Sequence, residues 1–270
     1  MCPLATMQPY FVFGTDKFVQ HKYLSDGISH IYTFKADVSD RHDYMIIPDG
    51  CVNLLFGYNG GGMDAKLYGV MNHAQLFRPD KDEYFGIRAY PEEFFPMFDL
   101  AADELVNSMT DIRDVRYIRD YLLRFSEARS FDERTAVFLR FSHETLRKAP
   151  GRGNELIKSV KAYIIEHGGN DSVNDIAGYF SYSARYLNRL FDERLGLSVK
   201  EFSEIVRLQH ILFRMKNDDF DTLTELALEE GYYDQAHFTK KFREYMNISP
   251  AACRRKINET GFRKKIVTVA

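Results

Sequence analysis

Two short segments of the chain carry side chains whose types and spacing suit hydrogen bonding to the edges of DNA bases. Arg185, Asn188 and Arg189 recur at intervals of three and four residues, which places them on one face of a helix. Arginine pairs with guanine edges, and asparagine or glutamine pairs with adenine edges, in the major groove. A similar polar pattern follows about 50 residues later. The candidate DNA-contacting residues are Arg185, Asn188, Arg189, Gln235, His237, Thr239, Lys240 and Lys241.

An internal repeat decides how these polar faces are interpreted. A single polar helix face is most often simply solvated and would not by itself predict DNA binding. Here, however, Ile176-Ala177 corresponds to Leu226-Ala227, and Gly196-Leu197-Ser198 corresponds to Asn247-Ile248-Ser249. A repeat of this length indicates a duplicated supersecondary unit, and the duplication favours nucleic-acid binding over a solvated surface.

Each repeat has the pattern of two helices joined by a tight turn. Small alanines, Ala177 and Ala227, stand where two steeply crossing helices would approach each other. Gly196 and Asn247 tolerate the left-handed conformation that ends a helix. The predicted amino-terminal caps are Ser172 with Asp175, Ser183, Thr222 with Glu225, Asp234, and Ser249 followed by Pro250.

Positive charge is concentrated near the carboxy terminus. The formal net charge of the chain is −3, but residues 240–265 hold nine basic and two acidic residues. Such a cluster suits contacts with DNA phosphates, in particular through Lys240, Lys241, Arg243, Arg254 and Arg255.

These segments together resemble the DNA-binding domain of the AraC/XylS family of regulators. Residues 183–191 resemble its first recognition helix, and residues 231–242, with 247–250 and Arg254-Arg255, resemble its second-unit signature. The resemblance covers residues 154–256, and Ala236 stands where the family often has a polar residue. It implies a long helix around 202–216 that sets both recognition helices in successive major-groove turns. It further implies RNA polymerase as a partner and a possible homodimer.

The first 90 residues contain short apolar runs separated by turn-forming residues. We predict strands at Ile28–Phe34, Tyr44–Ile47, Cys51–Tyr58, Lys66–Val70, Ala74–Phe77 and Tyr84–Ala89. Pro48-Asp49-Gly50 predicts a hairpin between the second and third of these strands. So many short strands suggest a small barrel or a sandwich.

Two helices are predicted after the strands. Apolar residues recur at helical spacing from Ile112 to Phe125, and Ser130 caps a second helix that runs toward Arg147. The first stripe is either a dimer seam or a face packed on the barrel. A linker is predicted at 149–153, which contains one proline and two glycines.

The amino-terminal region resembles, less specifically, the cupin-like sensing domains that precede such DNA-binding domains. Residues 44–56 and 86–91 carry the resemblance, with Asn53 where aspartate is common. The mouth of such a barrel suits a small-molecule effector. Two alternatives stay open, because Asp49 could be only a turn residue and Arg88 could belong to a buried ion pair. The candidate effector-binding residues are Asp49, Asn53, His73, Arg88 and Tyr90.

Other classes of function lack support in the sequence. The three cysteines are scattered and the histidines lack ligand spacing, so we predict no disulfide framework, metal site or cofactor. No nucleophile elbow or phosphate loop is present, so an enzyme is not expected. The sequence shows neither a signal peptide nor a long apolar segment, which predicts a cytoplasmic protein without a membrane span.

We therefore predict an α+β protein of two domains. A β-rich, barrel-like effector-sensing domain with trailing helices spans 1–150, an all-α domain of two helix-turn-helix units spans 154–256, and a basic tail spans 257–270. The predicted function is transcription regulation through double-stranded DNA under a small-molecule effector. The alternatives are a regulator that docks a protein partner at 92–98 and a cupin-type enzyme with an appended DNA-binding domain.

Overall fold

The amino-terminal part of the chain is built on a β-sheet. A computed structural model describes residues 7–22, 27–36, 44–98, 100–114, 118–146 and 153–269. The strands are β1 Phe18–Lys22, β2 Ile28–Lys35, β3 Tyr44–Ile46, β4 Val52–Asn59, β5 Gly62–Tyr68, β6 Gln75–Phe77, β7 Glu83–Ala89, β8 Met109–Asp111 and β9 Ile266–Val269.

Seven of these strands form one sheet in the order β8-β5-β4-β7-β2-β1-β9, and β3 pairs with β6 in a second, two-stranded sheet. The prediction of a β-rich amino-terminal domain is confirmed. Within the described residues the large sheet is open rather than closed into a barrel, since β8 and β9 form its two edges.

The hairpin predicted at Pro48-Asp49-Gly50 is wrong. β3 pairs with β6, whereas β4 pairs with β5 and β7, so the strands on either side of this turn belong to different sheets. Gly50 does adopt a positive φ of 69°. Gly50 therefore forms the predicted turn, but this turn leads the chain from one sheet to the other instead of joining paired strands.

Helices flank the sheet and continue through the carboxy-terminal half. Two short 3-10 helices lie at Asp103–Leu105 and Ile112–Asp114. The α-helices are α1 Pro9–Phe13, α2 Pro91–Phe98, α3 Arg119–Glu127, α4 Phe131–Leu146, α5 Gly153–Glu166, α6 Val173–Tyr179, α7 Ala184–Leu195, α8 Val199–Asn217, α9 Leu223–Glu229, α10 Gln235–Met246, α11 Pro250–Glu259 and α12 Phe262–Lys265.

The apolar stripe predicted between Ile112 and Phe125 packs within the domain. Ile112, Ile118 and Phe125 are fully buried, and the Phe125 ring stacks on Phe56 of β4 at a centroid distance of 4.2 Å. The stripe is not one helix, since Ile112 lies in a 3-10 helix and α3 begins at Arg119; residues 115–117, Val115 included, lie outside the described residues. The buried residues of the stripe thus face the sheet and not a dimer partner.

The two faces of the large sheet belong to two separate hydrophobic cores. Alternate residues of a strand point to opposite faces, and Ile31 lies in one core while its neighbour Tyr32 lies in the other. The first core continues into α7 through Phe191, and the second continues into α10 through Phe238. Each helix-turn-helix unit therefore shares apolar packing with one face of the amino-terminal sheet.

The end of the chain returns to the amino-terminal domain. Residues 257–270 were predicted as a basic tail, and the structure places 262–265 in α12 and 266–269 in β9. β9 pairs in parallel with β1, with Phe18 opposite Ile266 and His21 opposite Val269. The carboxy-terminal region is helical as predicted, apart from this strand, which joins the sheet of the other domain.

Candidate nucleic-acid interface

The first helix-turn-helix unit consists of α6 and α7, and its helix ends are built as the sequence predicts. The Ser172 side chain accepts a hydrogen bond from the Asp175 backbone N–H at the start of α6. Ser183 accepts one from Tyr186 N–H at the start of α7. Gly196 then ends α7 with φ of 70°, a conformation that glycine adopts without steric cost.

The second unit consists of α9 and α10 and repeats this construction. Thr222 and Glu225 form a reciprocal capping box at the start of α9. The Asp234 side chain accepts a hydrogen bond from His237 N–H at the start of α10. Asn247 ends α10 in the left-handed conformation with φ of 56°.

The turns of the two units carry the same backbone hydrogen bond. Tyr182 N–H donates to Ala177 O, and Tyr232 N–H donates to Ala227 O, each at 2.9 Å. Both alanines are buried, as expected for small residues where two helices approach each other. The duplication inferred from sequence is therefore a duplication of hydrogen-bonded structure.

On α7, two of the three predicted contact residues project into solvent. Arg185 and Arg189 are exposed, and Arg189 forms a surface ion pair with Glu193 at 3.5 Å. Such an exposed pair is weakly held, so the Arg189 guanidinium can exchange this partner for another acceptor.

Asn188 is engaged within the protein. Its Nδ2 donates to Ala184 O at 3.0 Å, and its Oδ1 accepts from Val199 N–H at 3.1 Å. Val199 is the first residue of α8. The amide of Asn188 therefore connects the end of the first unit to the joining helix, and the structure gives it a positioning role.

On α10, one concave surface collects several of the predicted residues. Gln235 and Lys240 are exposed and Thr239 is half-buried, and Gln235 Oε1 accepts a hydrogen bond from Thr224 Oγ1 at 2.9 Å. Arg243, considered from sequence only for phosphate contact, lies on the same surface. The surface is lined by Thr224, Asp234, Gln235, Ala236, Thr239, Lys240, Arg243 and Glu244.

His237 and Lys241 lie away from that concave surface. The His237 ring meets Tyr232 edge to face at 5.5 Å, and Lys241 Nζ pairs with Glu244 at 3.1 Å and approaches Glu204 of α8 at 4.0 Å. The helical period accounts for this, because positions 237 and 241 point away from the mean direction of positions 235, 239 and 240. The structure thus does not bring these two residues together with the others.

Two of the five candidate effector residues form a buried ion pair. Arg88 Nε lies 3.1 Å from Asp49 Oδ2, and both side chains are 3% exposed. Gln8 Nε2 also donates to Asp49 Oδ2 at 2.9 Å, and Cys51 N–H donates to Asp49 Oδ1 at 3.0 Å. Burial raises the pKa of the Asp49 carboxyl, while the Arg88 charge opposes this shift. Of the open alternatives, the buried ion pair is the one that the structure shows for Arg88.

The other three candidates lie in different surroundings. Asn53 Oδ1 accepts from the buried Tyr32 hydroxyl at 3.2 Å, and the Arg88 guanidinium lies 5.3 Å from the Tyr32 ring centroid. Tyr90 is half-buried with Lys161 Nζ above its ring, and burial raises the pKa of its hydroxyl. His73 is exposed and bonds to its neighbours in the loop between β5 and β6.

A cavity that the sequence did not reveal lies beside Arg88. Its volume is about 50 Å³, and it is bounded by β1, β2, α8 and α12. Lys22 and Lys216, which contribute to it, are almost 200 residues apart in the chain. No local pattern could have placed them together.

The segment 92–98 was considered as a docking surface for a protein partner. Phe94 and Phe95 are buried, at 1% and 2% exposed, while the side chains of Pro96, Met97 and Phe98 lie outside the described residues. Glu92 pairs with Lys161 and Glu93 with Lys158, both on α5. This part of α2 thus packs inside the molecule.

Other kinds of site are not found in the described part of the chain. No group of three or more potential metal ligands occurs among the described residues. Cys51 and Cys253 are buried free thiols, and Cys2 lies outside the described residues. None of the described helices combines the length and the apolar character that crossing a membrane requires.

Two family models match separate segments of the chain. Residues 176–256, which include α7 and α10, match the family described as Helix-turn-helix domain. Residues 17–111 match the family described as Domain of unknown function (DUF6597).

Two curated relatives share part of the sequence. The chain is 30% identical over 123 residues to the Msm operon regulatory protein of Streptococcus mutans, covering 45% of this chain and 44% of that protein. It is 32% identical over 96 residues to an uncharacterized HTH-type transcriptional regulator of Haemophilus influenzae, covering 35% of this chain and 32% of that protein. The chain thus spans less than half the length of either relative.

Solved structures are similar at lower identity. An AraC-type transcriptional regulator from Chromobacterium violaceum is 24% identical with a TM-score of 0.36, covering 40% of this chain and 96% of that one. A structure of ToxT from Vibrio cholerae is 14% identical with a TM-score of 0.44, covering 89% of this chain and 99% of that one.

Proposed function

We propose that this chain, whose carboxy-terminal residues form a double helix-turn-helix domain of the AraC type, is a transcription regulator that binds double-stranded DNA at specific sequences. The observation that carries the proposal is the pair of exposed helices, α7 and α10, each capped and each preceded by the same backbone hydrogen bond. The match of residues 176–256 to a helix-turn-helix family supports it.

The two helices divide the proposed contacts with DNA. Arg185 and Arg189 on α7 suit the hydrogen-bond acceptors of guanine. On α10, Gln235 suits adenine, and Lys240 and Arg243 suit phosphates or guanine. The proposed base contacts do not include Asn188, His237 and Lys241. Asn188 holds the start of α8, His237 contacts Tyr232, and Lys241 pairs with Glu244.

We further propose that the amino-terminal domain senses a small-molecule effector. The shared packing supports this, because each face of the sheet is continuous with the core of one helix-turn-helix unit. A change in the sheet would therefore reach both recognition helices. RNA polymerase and a second copy of the chain stay as proposed partners on the family resemblance alone.

The proposed contacts are tested by measuring DNA binding of alanine variants at several salt concentrations. Arg185→Ala and Arg189→Ala should each weaken binding to a selected site by about 1–3 kcal/mol and relax base preference. Lys240→Ala, if it contacts phosphate, should reduce the salt slope by about 1 without changing base preference. Arg140→Ala, an exposed arginine on α4, is the control and should bind like the wild type. Unchanged binding by both α7 variants would refute the assignment.

A further inference from the structure

Arg207 lies at the point of α8 where the packing of this helix changes from one helix-turn-helix unit to the other. Val206, directly before it, is the last residue of α8 in the core that contains Phe191 of α7. Leu208, directly after it, is the first residue of α8 in the core that contains Phe238 of α10. A bend of α8 at this point would therefore rotate one recognition helix relative to the other.

The side chain of Arg207 contacts both units. Its Nη2 donates a hydrogen bond to Gly169 O at 2.8 Å, in the loop that leads into α6 of the first unit. Its guanidinium carbon lies 5.4 Å from the ring centroid of Tyr232, in the turn between α9 and α10 of the second unit. The Tyr232 ring is buried and meets the Phe238 ring at 5.2 Å. One guanidinium thus connects the loop before α6 to the base of α10.

The backbones of the two units also approach each other closely beside Arg207. Gly169 packs on α8 so tightly that a Cβ there would overlap Ser203 O. The next residue, Asn170, places its Oδ1 against Gly231, where a Cβ would lie 2.5 Å from this oxygen. Gly231 directly precedes Tyr232 in the turn of the second unit. The loop of the first unit therefore contacts both the joining helix and the second unit.

An arginine side chain is well suited to this double contact. Its planar guanidinium donates hydrogen bonds in its own plane while its face rests on an aromatic ring. Arg207 is half-buried, and both of these partners belong to the protein. The geometry therefore favours a contact between the two units over a contact with a DNA phosphate.

We propose that Arg207, assisted by the contact of Asn170 with Gly231, is a positioning residue that holds α7 and α10 at one separation. It would thereby set the number of base pairs between the two contact blocks that the protein accepts. Adding one base pair moves the second block by about 3.4 Å along the duplex axis and by about 35° around it. A unit held in a fixed orientation cannot follow such a shift, whereas a unit free to rotate at Arg207 can.

The inference rests on the proposed function, and its test uses DNA duplexes that carry the selected motif with different spacers. The spacer between the two contact blocks is kept, shortened by one base pair or lengthened by one base pair. The affinity of the full chain for each duplex is measured by fluorescence anisotropy. We expect the wild type to lose about tenfold or more in affinity for either altered spacer, since a displaced block loses its base contacts.

Arg207→Met removes the connection between the units and keeps the apolar stem of the side chain. We expect this variant to lose less than about threefold in affinity when the spacer changes. Arg140→Met removes the same charge from the exposed face of α4, and this control should keep the spacing preference of the wild type. Asn170→Ala changes an exposed loop residue. It should relax the spacing preference in the same direction, and it replaces Arg207→Met in the test if that variant does not fold.

Two results would overturn the inference while leaving the proposed function intact. If Arg207→Met keeps the spacing preference of the wild type, the packing of α8 alone sets the separation. If it lowers affinity by the same factor for every spacer and reduces the salt slope by about 1, Arg207 contacts a phosphate instead. A wild type that binds no common motif would contradict the proposed function itself, and the inference would fall with it.

Discussion

The side-chain amide of Gln209 on α8 donates to the carbonyl oxygen of Pro48 at 2.7 Å, across the junction between the two domains. The same amide donates to Met7 O at 3.3 Å and accepts from Met7 N–H at 2.7 Å. Gln209 is 1% exposed. A buried amide with its hydrogen bonds satisfied holds the joining helix against the turn that leads into β4.

Replacing Gln209 by methionine should weaken this junction. The change keeps the length of the side chain but leaves Pro48 O and Met7 N–H without their partner, which costs about 1–3 kcal/mol. Chemical denaturation measures the loss. Gln75→Met, which removes an amide from an exposed loop contact, should change stability by less than about 0.5 kcal/mol. Equal stability of the two variants would contradict the role of Gln209.

The pair of Arg88 and Asp49 should behave as a structural ion pair. Arg88→Met leaves the Asp49 carboxylate buried without its counter-charge, and we expect a loss of about 3–5 kcal/mol in the free energy of unfolding. The double variant Asp49→Asn with Arg88→Met should recover a large part of that loss, because no unpaired charge remains. Urea unfolding of Arg88→Met, Asp49→Asn and the double variant is the measurement. If the double variant is as unstable as the sum of the single ones, the two side chains are not coupled.

Two glycines with similar backbone angles should respond differently to alanine. Gly196 and Gly261 have φ of 70° and 65°. A Cβ at Gly196 would lie 2.4 Å from Val106 Cγ2 and 2.9 Å from Ala102 O, whereas a Cβ at Gly261 meets nothing within 4 Å. Gly261→Ala should cost about 1 kcal/mol from backbone strain alone.

Gly196→Ala should cost about 1–3 kcal/mol more than Gly261→Ala, because overpacking adds to the strain. Thermal unfolding of the two variants compares them. A similar loss in both would mean that α7 does not approach the segment after α2 as closely as the structure shows.

The ion pair of His210 and Glu230 predicts a pH-dependent stability of the second unit. His210 Nδ1 lies 2.9 Å from Glu230 Oε2, and this hydrogen bond raises the pKa of His210 above its ordinary value of about 6.5. A raised histidine pKa in the folded state adds stability that is fully present below the unfolded pKa. That stability is lost as pH rises through the folded pKa.

The stability difference between wild type and His210→Asn should therefore be largest at acidic pH and shrink above neutrality. The imidazole is half-exposed, so solvent screening limits the effect to below about 1 kcal/mol. Unfolding curves at pH 5.5 and pH 8.5 test this, with His143→Asn on α4 as a surface control. A difference that grows with pH would have the wrong sign and refute the interpretation.

Local chemistry explains which features could be predicted from sequence. The caps at Ser183 and Asp234 depend on residues three positions apart, and the repeat compares two segments with the same local hydrogen bonds. Such local patterns depend little on the rest of the fold, so the sequence predicted both helix-turn-helix units correctly.

Features that depend on distant residues could not be predicted in the same way. Gly50 correctly indicated a turn. The pairing partner of β3, however, is β6, which lies about 30 residues later in the chain. Asn188 is a residue type that suits adenine, but its side-chain oxygen accepts a hydrogen bond from Val199 N–H at the start of α8. The cavity joins Lys22 to Lys216, and β9 reaches β1 from the other end of the chain.

The most direct test of sequence-specific DNA binding is affinity selection of random duplex DNA by the purified chain, followed by sequencing. The proposed function has α7 and α10 reading DNA in successive major-groove turns, so it predicts one compact motif with two contact blocks about 10 base pairs apart. Arg185→Ala should relax the first block and leave the second unchanged. The account would be contradicted if the recovered DNA shared no common motif and if its binding simply weakened as the salt concentration rose.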